Sequence, residues 1–257
     1  MTKNLEFFNM SEQEIINSIQ ERKISVCVIG LGRIGLPTAI SFSHAGLNTF
    51  GVDINLELVN SINAKKFPLK DEPGYEFIFK NVIEEGKFEA STNLEQAVKK
   101  SDIILLSLPT PMNDKHIPDY SIITSVAKQL HKIICDGTII IVESTIQPGF
   151  IENTLVKILE GENNKKIVGK DFGLGVCPET ANPGHIYTDF EKLPRLVGAL
   201  DEKTKMIITK IYNHVFPVKI IPMEDCKTAN AVKLTTNVFR DLNIAFVNEL
   251  SILFEKV

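Results

Sequence analysis

The residues Gly30-Leu31-Gly32-Arg33-Ile34-Gly35 read G-x-G-x-x-G directly after the apolar run Val26-Cys27-Val28-Ile29. Between a strand and a helix, such a triplet brings backbone N–H groups and the positive end of a helix dipole up to a pyrophosphate. Gly30 would permit the tight turn, Gly32 the approach of the ligand and Gly35 the contact of helix with strand, with Arg33 and Ile34 carried in the same loop. Asp53, 18 residues past Gly35, closes the next apolar run. An acid there hydrogen-bonds the adenosine ribose and its charge disfavours a 2′-phosphate, so the expected cofactor is NAD rather than NADP.

Further candidates lie downstream. "SLPTP" (107–111) and "ESTIQPG" (143–149) end two apolar runs. If those runs are strands, Pro109, Thr110, Ser144 and Thr145 belong to loops at strand carboxyl ends, where nicotinamide would sit. The same residue types also terminate strands and cap helices, and both readings stand. In "GLGVCPETANPGH", Glu179 follows a buried run between two prolines and could serve as a base or simply be solvated. In "TANAVKLTTNVFRDLN", Lys233 and Asn237 are four apart, with Arg240 and Asp241 a turn further on. Such a polar stripe on a helix faces either solvent or substrate.

These residues need a frame to hold them. Strand-length runs rich in Val and Ile occur at 25–29, 48–53, 102–108 and 138–143, then at about 172–177, 195–200 and 218–222. Helix-period segments at 34–46, 55–64, 93–100, 121–134, 150–160 and 202–214 alternate with many of them. Alternation of this kind predicts an α/β fold with a doubly wound parallel sheet, Rossmann-like. Ser11 and Glu14 have capping-box spacing, so a short helix over 11–21 should precede the first strand. From Met223 to Val257 there is neither Pro nor Gly, and Ala231, Leu234, Val238, Leu242, Ala245, Phe246 and Leu253 keep a helical period. A rod of roughly 50 Å is expected, of the kind that links domains or packs on its own copy. The divisions are therefore an N-terminal helical extension (1–22), a cofactor domain (23–222) and the start of a long helix (223–257).

Composition narrows the partners. Hydrophobic residues make up 44% and the formal charge is −4, from interspersed basic and acidic residues. No basic surface is advertised for nucleic acid or membrane, and no apolar run exceeds strand size. The N-terminal residues are charged throughout, without a signal-peptide core, so the cytoplasm is expected. Cys27, Cys135, Cys177 and Cys226 are too widely spaced for a metal or redox motif and should be reduced, mostly buried thiols.

Together, "GLGRIGLP", "GVDIN", "SLPTP", "ESTIQPG", "CPETANPG", "LPRLVG" and "TANAVKLTTNVFRDLNIAFVNEL" resemble the UDP-glucose/GDP-mannose dehydrogenase family of nucleotide-sugar 6-dehydrogenases, over about residues 23 to 257. The last motif is most similar to the branch acting on UDP-N-acetylmannosamine or UDP-N-acetylglucosamine. The resemblance implies two hydride transfers to NAD that take the C6 alcohol of a UDP-sugar to a carboxylate, by way of a cysteine thiohemiacetal and thioester. It implies that Thr145 and Glu179 position and activate the hydrolytic water, that Lys233 stabilises an oxyanion, that Asn237 orients a hydrogen bond beside it, and that Arg240 meets substrate. A homodimer through the long helix is also implied. Two departures alter charge: Glu179-Thr180 stands where several members have Glu-Arg, and Ala229-Asn230 where they have Ala-Glu. The family's nucleophilic cysteine lies in a glycine-rich loop after the long helix, followed by a UDP-binding domain. Neither is within these 257 residues, so the chain alone is expected not to turn over. The alternatives are a non-catalytic NAD-binding protein and a β-hydroxyacid dehydrogenase, which shares the glycine loop and the Lys-x-x-x-Asn pair.

Overall fold

The computed structural model describes residues 5–162 and 165–256. A 3₁₀ turn (Phe7–Asn9) and α1 (Glu12–Gln20) precede β1 (Ser25–Ile29), α2 (Gly35–His44), β2 (Asn48–Val52), α3 (Leu56–Asn63), α4 (Tyr75–Glu84), β3 (Phe88–Ser91) and α5 (Leu94–Lys99). Then come β4 (Ile103–Leu106), α6 (Ser121–Ile133), β5 (Ile139–Val142), a π-helical turn (Ile151–Leu155) running into α7 (Val156–Glu160), and β6 (Gly173–Val176). The chain continues through α8 (Ile186–Lys192), β7 (Arg195–Ala199), α9 (Glu202–Val215), β8 (Ile220–Pro222) and α10 (Cys226–Phe254).

The eight strands form one sheet in the order β3-β2-β1-β4-β5-β6-β7-β8. Strand order reverses between β1 and β4, the switch point at which doubly wound sheets open a crevice. Register aligns the carboxyl ends: Ile29 pairs with Val52 and with Leu106, Leu106 with Val142, and Val142 with Val176. The next residues, Asp53, Gly30, Ser107, Glu143 and Cys177, therefore stand in a row along one edge. Strands β4 and β5 are buried at every position, as a sheet covered on both faces requires. One apolar layer, with Phe42, Phe79, Ile207 and Tyr212, lies on one face; another, with Ile123, Leu130, Leu155 and Ala229, lies on the other.

The sheet is mostly parallel rather than wholly so. β6 and β7 are antiparallel, pairing Val176 with Gly198, and β8 is parallel to β7. Their connection holds only the seven-residue α8 and brings the chain back at the edge it left. Arg195, first residue of β7, consequently begins at the carboxyl edge.

The N-terminal residues form part of this body. The Ser11–Glu14 capping box is present, Phe7, Ile15 and Ile19 join the core, and Asp102 accepts N–H bonds from Leu5 and Ser25 at 2.7 and 2.8 Å. Lys210 pairs with Glu12 at 2.8 Å.

The long helix α10 starts at Cys226 rather than Met223, because Asp225 caps it by accepting the Thr228 N–H, while Pro222 and Ile221 still belong to β8. Its 29 residues make a rod of about 43 Å at 1.5 Å per residue. Cys226, Ala229, Asn230 and Lys233 are buried against the sheet. Further on, Val238, Phe239, Leu242, Ile244, Phe246, Val247, Leu253 and Phe254 are exposed. Val238, Leu242, Phe246 and Leu253 belong to the stripe read from the sequence, Leu234 of that stripe is half-buried, and Phe239, Ile244, Val247 and Phe254 extend the apolar surface around the helix.

Candidate active site

Geometry at the glycine loop accounts for each glycine separately. A Cβ on Gly35 would lie 1.7 Å from the Gly30 carbonyl oxygen, so α2 can meet the turn only without one. Gly30 has φ +91°, and its Cβ would press on the Ser107 carbonyl at 2.5 Å. A Cβ on Gly32 would meet nothing within 4 Å: this glycine faces open space at the crevice. No side chain caps α2, whose N-cap residue is Ile34; the Leu36 N–H is taken by the Gly32 carbonyl and Pro37 has none, which leaves the N–H groups of Gly32, Arg33, Ile34 and Gly35 for a ligand. Asp53 accepts the Leu31 N–H at 2.8 Å and the Asn55 N–H at 2.9 Å, which fixes its carboxylate against the loop. An open cradle, unsatisfied donors and an adjacent carboxylate fit a dinucleotide.

Loops after β4 and β5 are stapled together. Ser144 Oγ accepts the Leu108 N–H at 2.9 Å and donates to the Leu108 carbonyl at 2.7 Å, and Thr110 donates to the Thr145 carbonyl at 2.8 Å. Ser144 is buried and spent on this staple. Pro109 is exposed, while Thr110 and Thr145 are half-buried at the same edge.

Glu179 is buried beyond β6. One oxygen accepts the N–H groups of Thr180 and Ala181, each at 2.7 Å, and the other takes Arg195 Nη1 at 2.8 Å. Antiparallel register explains the pairing: continued three residues past Val176–Gly198, it sets residue 179 opposite residue 195. Arg195 is 2% exposed and lies over the rings of Phe216 and Phe190, at 3.8 and 4.2 Å. Burial alone would favour a neutral guanidine, but the Glu179 carboxylate beside it holds the proton on it, with Glu143 adding to the pull. Glu143, buried on the same edge, accepts from Tyr212 Oη at 2.7 Å and Ser107 Oγ at 2.6 Å. Its carboxyl is pushed up by burial, with Arg195 pulling the other way. Sequence reading missed Arg195, Glu143 and Tyr212 as a cluster; an arginine inside the apolar "LPRLVGAL" was the available signal.

From α10, Lys233 enters the same region. It is 6% exposed and its Nζ donates to Asn237 Oδ1 at 3.2 Å. Burial lowers its pKa, against the pull of Glu179 and together with the repulsion of Arg240. Arg240 donates to Asn237 at 3.2 Å and to Asn182 on the loop after Glu179. Glu179, Lys233, Asn237 and Arg240 are thus brought together at the carboxyl edge, while Asp241 is exposed. Asn230, one of the departures, is buried with its Nδ2 unpartnered.

Three of the four cysteines are poor nucleophiles where they stand. Cys27, Cys177 and Cys226 are buried; burial pushes the Cys177 thiol up to about 12 and raises those of Cys27 and Cys226 as well. Among the described residues, no group of His, Cys, Asp and Glu is arranged to hold a metal, and no helix is long and apolar enough to cross a membrane.

An eight-stranded, mostly parallel sheet with a fitted glycine cradle at its switch point defines a Rossmann-type, dinucleotide-binding protein. The family model for the NAD-binding domain of UDP-glucose/GDP-mannose dehydrogenases matches residues 24–216, and the chain belongs to that family. A UDP-N-acetyl-D-mannosamine dehydrogenase of Campylobacter jejuni is 35% identical over 238 residues, covering 90% of this chain and 57% of that protein. The structure of a UDP-D-ManNAc dehydrogenase from Pyrococcus horikoshii superposes with a TM-score of 0.83 at 32% identity, over 90% of this chain and 54% of that one. A GDP-mannose dehydrogenase from Pseudomonas aeruginosa, solved as a ternary complex, gives a TM-score of 0.82 at 27% identity, over 87% and 51%. The chain spans about half the length of the relatives it matches.

Proposed function

We propose that this chain is the cofactor-binding half of an NAD-dependent nucleotide-sugar 6-dehydrogenase that takes the C6 alcohol of a UDP-N-acetylhexosamine to the carboxylate. The observation that carries the reading is the convergence of Glu179, Lys233 and Asn237, from the loop after β6 and from α10, on the edge that holds the glycine cradle. NAD held there would supply the hydride acceptor for the sugar carbon. Gly30, Gly32, Arg33, Ile34, Gly35 and Asp53 would hold its adenosine and pyrophosphate portions, and Pro109, Thr110 and Thr145 would border the reacting end. Lys233, a compact cation in a desolvated setting, stabilises oxygen as negative charge develops. Asn237 fixes the ammonium group through their hydrogen bond, and Arg240 meets the substrate. Glu179, locked by Arg195 and two backbone donors, orients the water that resolves the acyl intermediate, with Thr145 beside it.

The thiol that captures the aldehyde is not among the four cysteines of this chain, so the chain alone does not turn over. Residues 1–22 act as a structural extension of the cofactor domain at 23–222, and 223–257 begin a dimerisation helix. The apolar side chains around α10 support a homodimer, because an exposed helix with this much apolar surface needs a partner. Cytoplasmic location accords with this chemistry, which consumes soluble NAD and a nucleotide sugar.

NADH formation from UDP-N-acetylmannosamine and UDP-N-acetylglucosamine tests the proposal. The chain alone should bind NAD yet give no burst of NADH. Extension past Val257 through a glycine-flanked cysteine should restore two NADH per sugar, and Lys233→Ala should abolish them. Steady turnover by the 257 residues alone would refute the assignment of the nucleophile.

A further inference from the structure

Arg33 lies in the glycine loop, yet its partners belong to another segment. Its guanidinium meets Asp71 at 2.5 Å and Glu72 at 3.6 Å, in the connection between α3 and α4. Arg33 and Asp71 are about half exposed, whereas Glu72 is 2% exposed. The oxygens of Glu72 accept the N–H of Gly184 at 2.7 Å and, more weakly, that of Ile186 at 3.4 Å. These amides belong to the turn that follows Glu179, where Gly184 has φ +82° and where His185 offers no side-chain cap to α8. Asn182 in the same turn is bonded to Arg240 and Asp189. A continuous set of polar contacts therefore runs from the glycine loop through Arg33 and Glu72 to the turn that carries Glu179 at its start.

We infer that Glu72 is a positioning residue for the 179–186 turn, and that Arg33 couples it to occupancy of the glycine loop. The inference rests on the dinucleotide reading of that loop. A buried carboxylate facing two amides needs a compensating cation, and Arg33 supplies it. A pyrophosphate at the start of α2 is a competing anion for the same guanidinium, because one planar fork cannot serve the pyrophosphate, Asp71 and Glu72 equally. As Arg33 turns to the ligand, the charge opposite Glu72 weakens and its hold on Gly184 and Ile186 changes. Coupling between sites is reciprocal, so removing the acidic competitors must strengthen dinucleotide binding.

The test is an NAD titration of the ¹⁵N-labelled chain, following backbone amides, with affinity measured in parallel by calorimetry. In the wild type, Gly184 and Ile186 should shift with the same midpoint as Gly32 and Gly35. In Arg33→Met, Gly32 and Gly35 should still titrate, about tenfold more weakly, the loss of one charge-assisted contact, while Gly184 and Ile186 fall silent. Asp71→Asn should tighten NAD about threefold, in keeping with a half-exposed pair. Glu72→Gln keeps an acceptor for the Gly184 N–H and gives up only the weaker bond to Ile186, so it should fold, tighten NAD to a similar degree and silence Gly184 and Ile186. Equal shifts at Gly184 and Ile186 in wild type and Arg33→Met, or none in the wild type while Gly32 responds, would overturn the coupling. Failure of NAD to move Gly32 and Gly35 at all would overturn the dinucleotide reading and the coupling with it.

Discussion

Replacing Arg195 by Met removes the guanidinium that Glu179 holds at 2.8 Å and retains much of the volume between Phe190 and Phe216. Glu179 would keep its two backbone donors, and Glu143 would lose the cation that opposes the cost of its burial. Breaking a buried pair from one side costs about 3–5 kcal/mol, because the remaining charge is left uncompensated. Loss of the cation–π contacts adds about 1 kcal/mol, part of which the Met sulfur recovers on the same rings. For a chain of this size, a net 3–5 kcal/mol corresponds to a fall in Tm of about 6–20 °C. Urea unfolding of wild type, Arg195→Met, Glu179→Gln and the double variant provides the measurement. The double variant should be more stable than additivity predicts by about 2 kcal/mol or more, the signature of groups in direct contact. Arg195→Met within about 1 kcal/mol of wild type, or additive behaviour in the cycle, would show that the pair is only a bystander at the edge of the sheet.

Asp53→Asn keeps an acceptor for the Leu31 N–H and removes the charge, so calorimetry should find the preference for NAD over NADP reduced about tenfold or more; an unchanged ratio would mean that Asp53 does not read the ribose. Gly35→Ala should fail to yield folded protein, since its Cβ would fall 1.7 Å from a backbone oxygen, whereas Gly32→Ala should melt like wild type and lose NAD affinity. Folded, NAD-competent Gly35→Ala would contradict the packing at the loop. Glu143, whose folded pKa is raised above the ordinary 4.5, favours the folded state fully below that value, and its contribution is lost as pH rises through the folded pKa. The Tm of Glu143→Gln should therefore gain on that of wild type as pH rises above about 4.5, and the opposite trend would place an ionised carboxylate comfortably in the site.

Local signals were legible and long-range ones were not. The glycine loop, Asp53 and the Ser11 capping box are each written in a few adjacent residues whose backbone demands are specific. The convergence of Glu179 with Lys233 and Asn237 followed from resemblance, because no periodicity places α10 against the end of β6. Strand β3 escaped notice: "FEAS" is four residues long with an exposed Glu89, too short for alternation to register. Helices α4 and α8 flank segments rich in Pro, Gly and charge that mask their periods. The reversal at β7 could not be read from composition, since antiparallel and parallel buried strands use the same residues. Arg195 and Glu72 were hidden for a related reason: each matters through a partner distant in sequence, and only the fold supplies the register that unites them.

The rooting of α10 has a mechanical consequence. Its cap residue lies so close to β7 that a Cβ on Gly198 would come within 2.4 Å of the Asp225 carbonyl oxygen, while the exposed turns from Val238 onward lie beyond the sheet. The helix is therefore a cantilever clamped at one end, and a tilt of about 5° at the clamp displaces the tip of a rod this long by about 4 Å. Lys233 sits near the fulcrum and would move by only a fraction of that, so a load on the far turns can tilt the rod while the ammonium group stays beside Asn237 at the crevice.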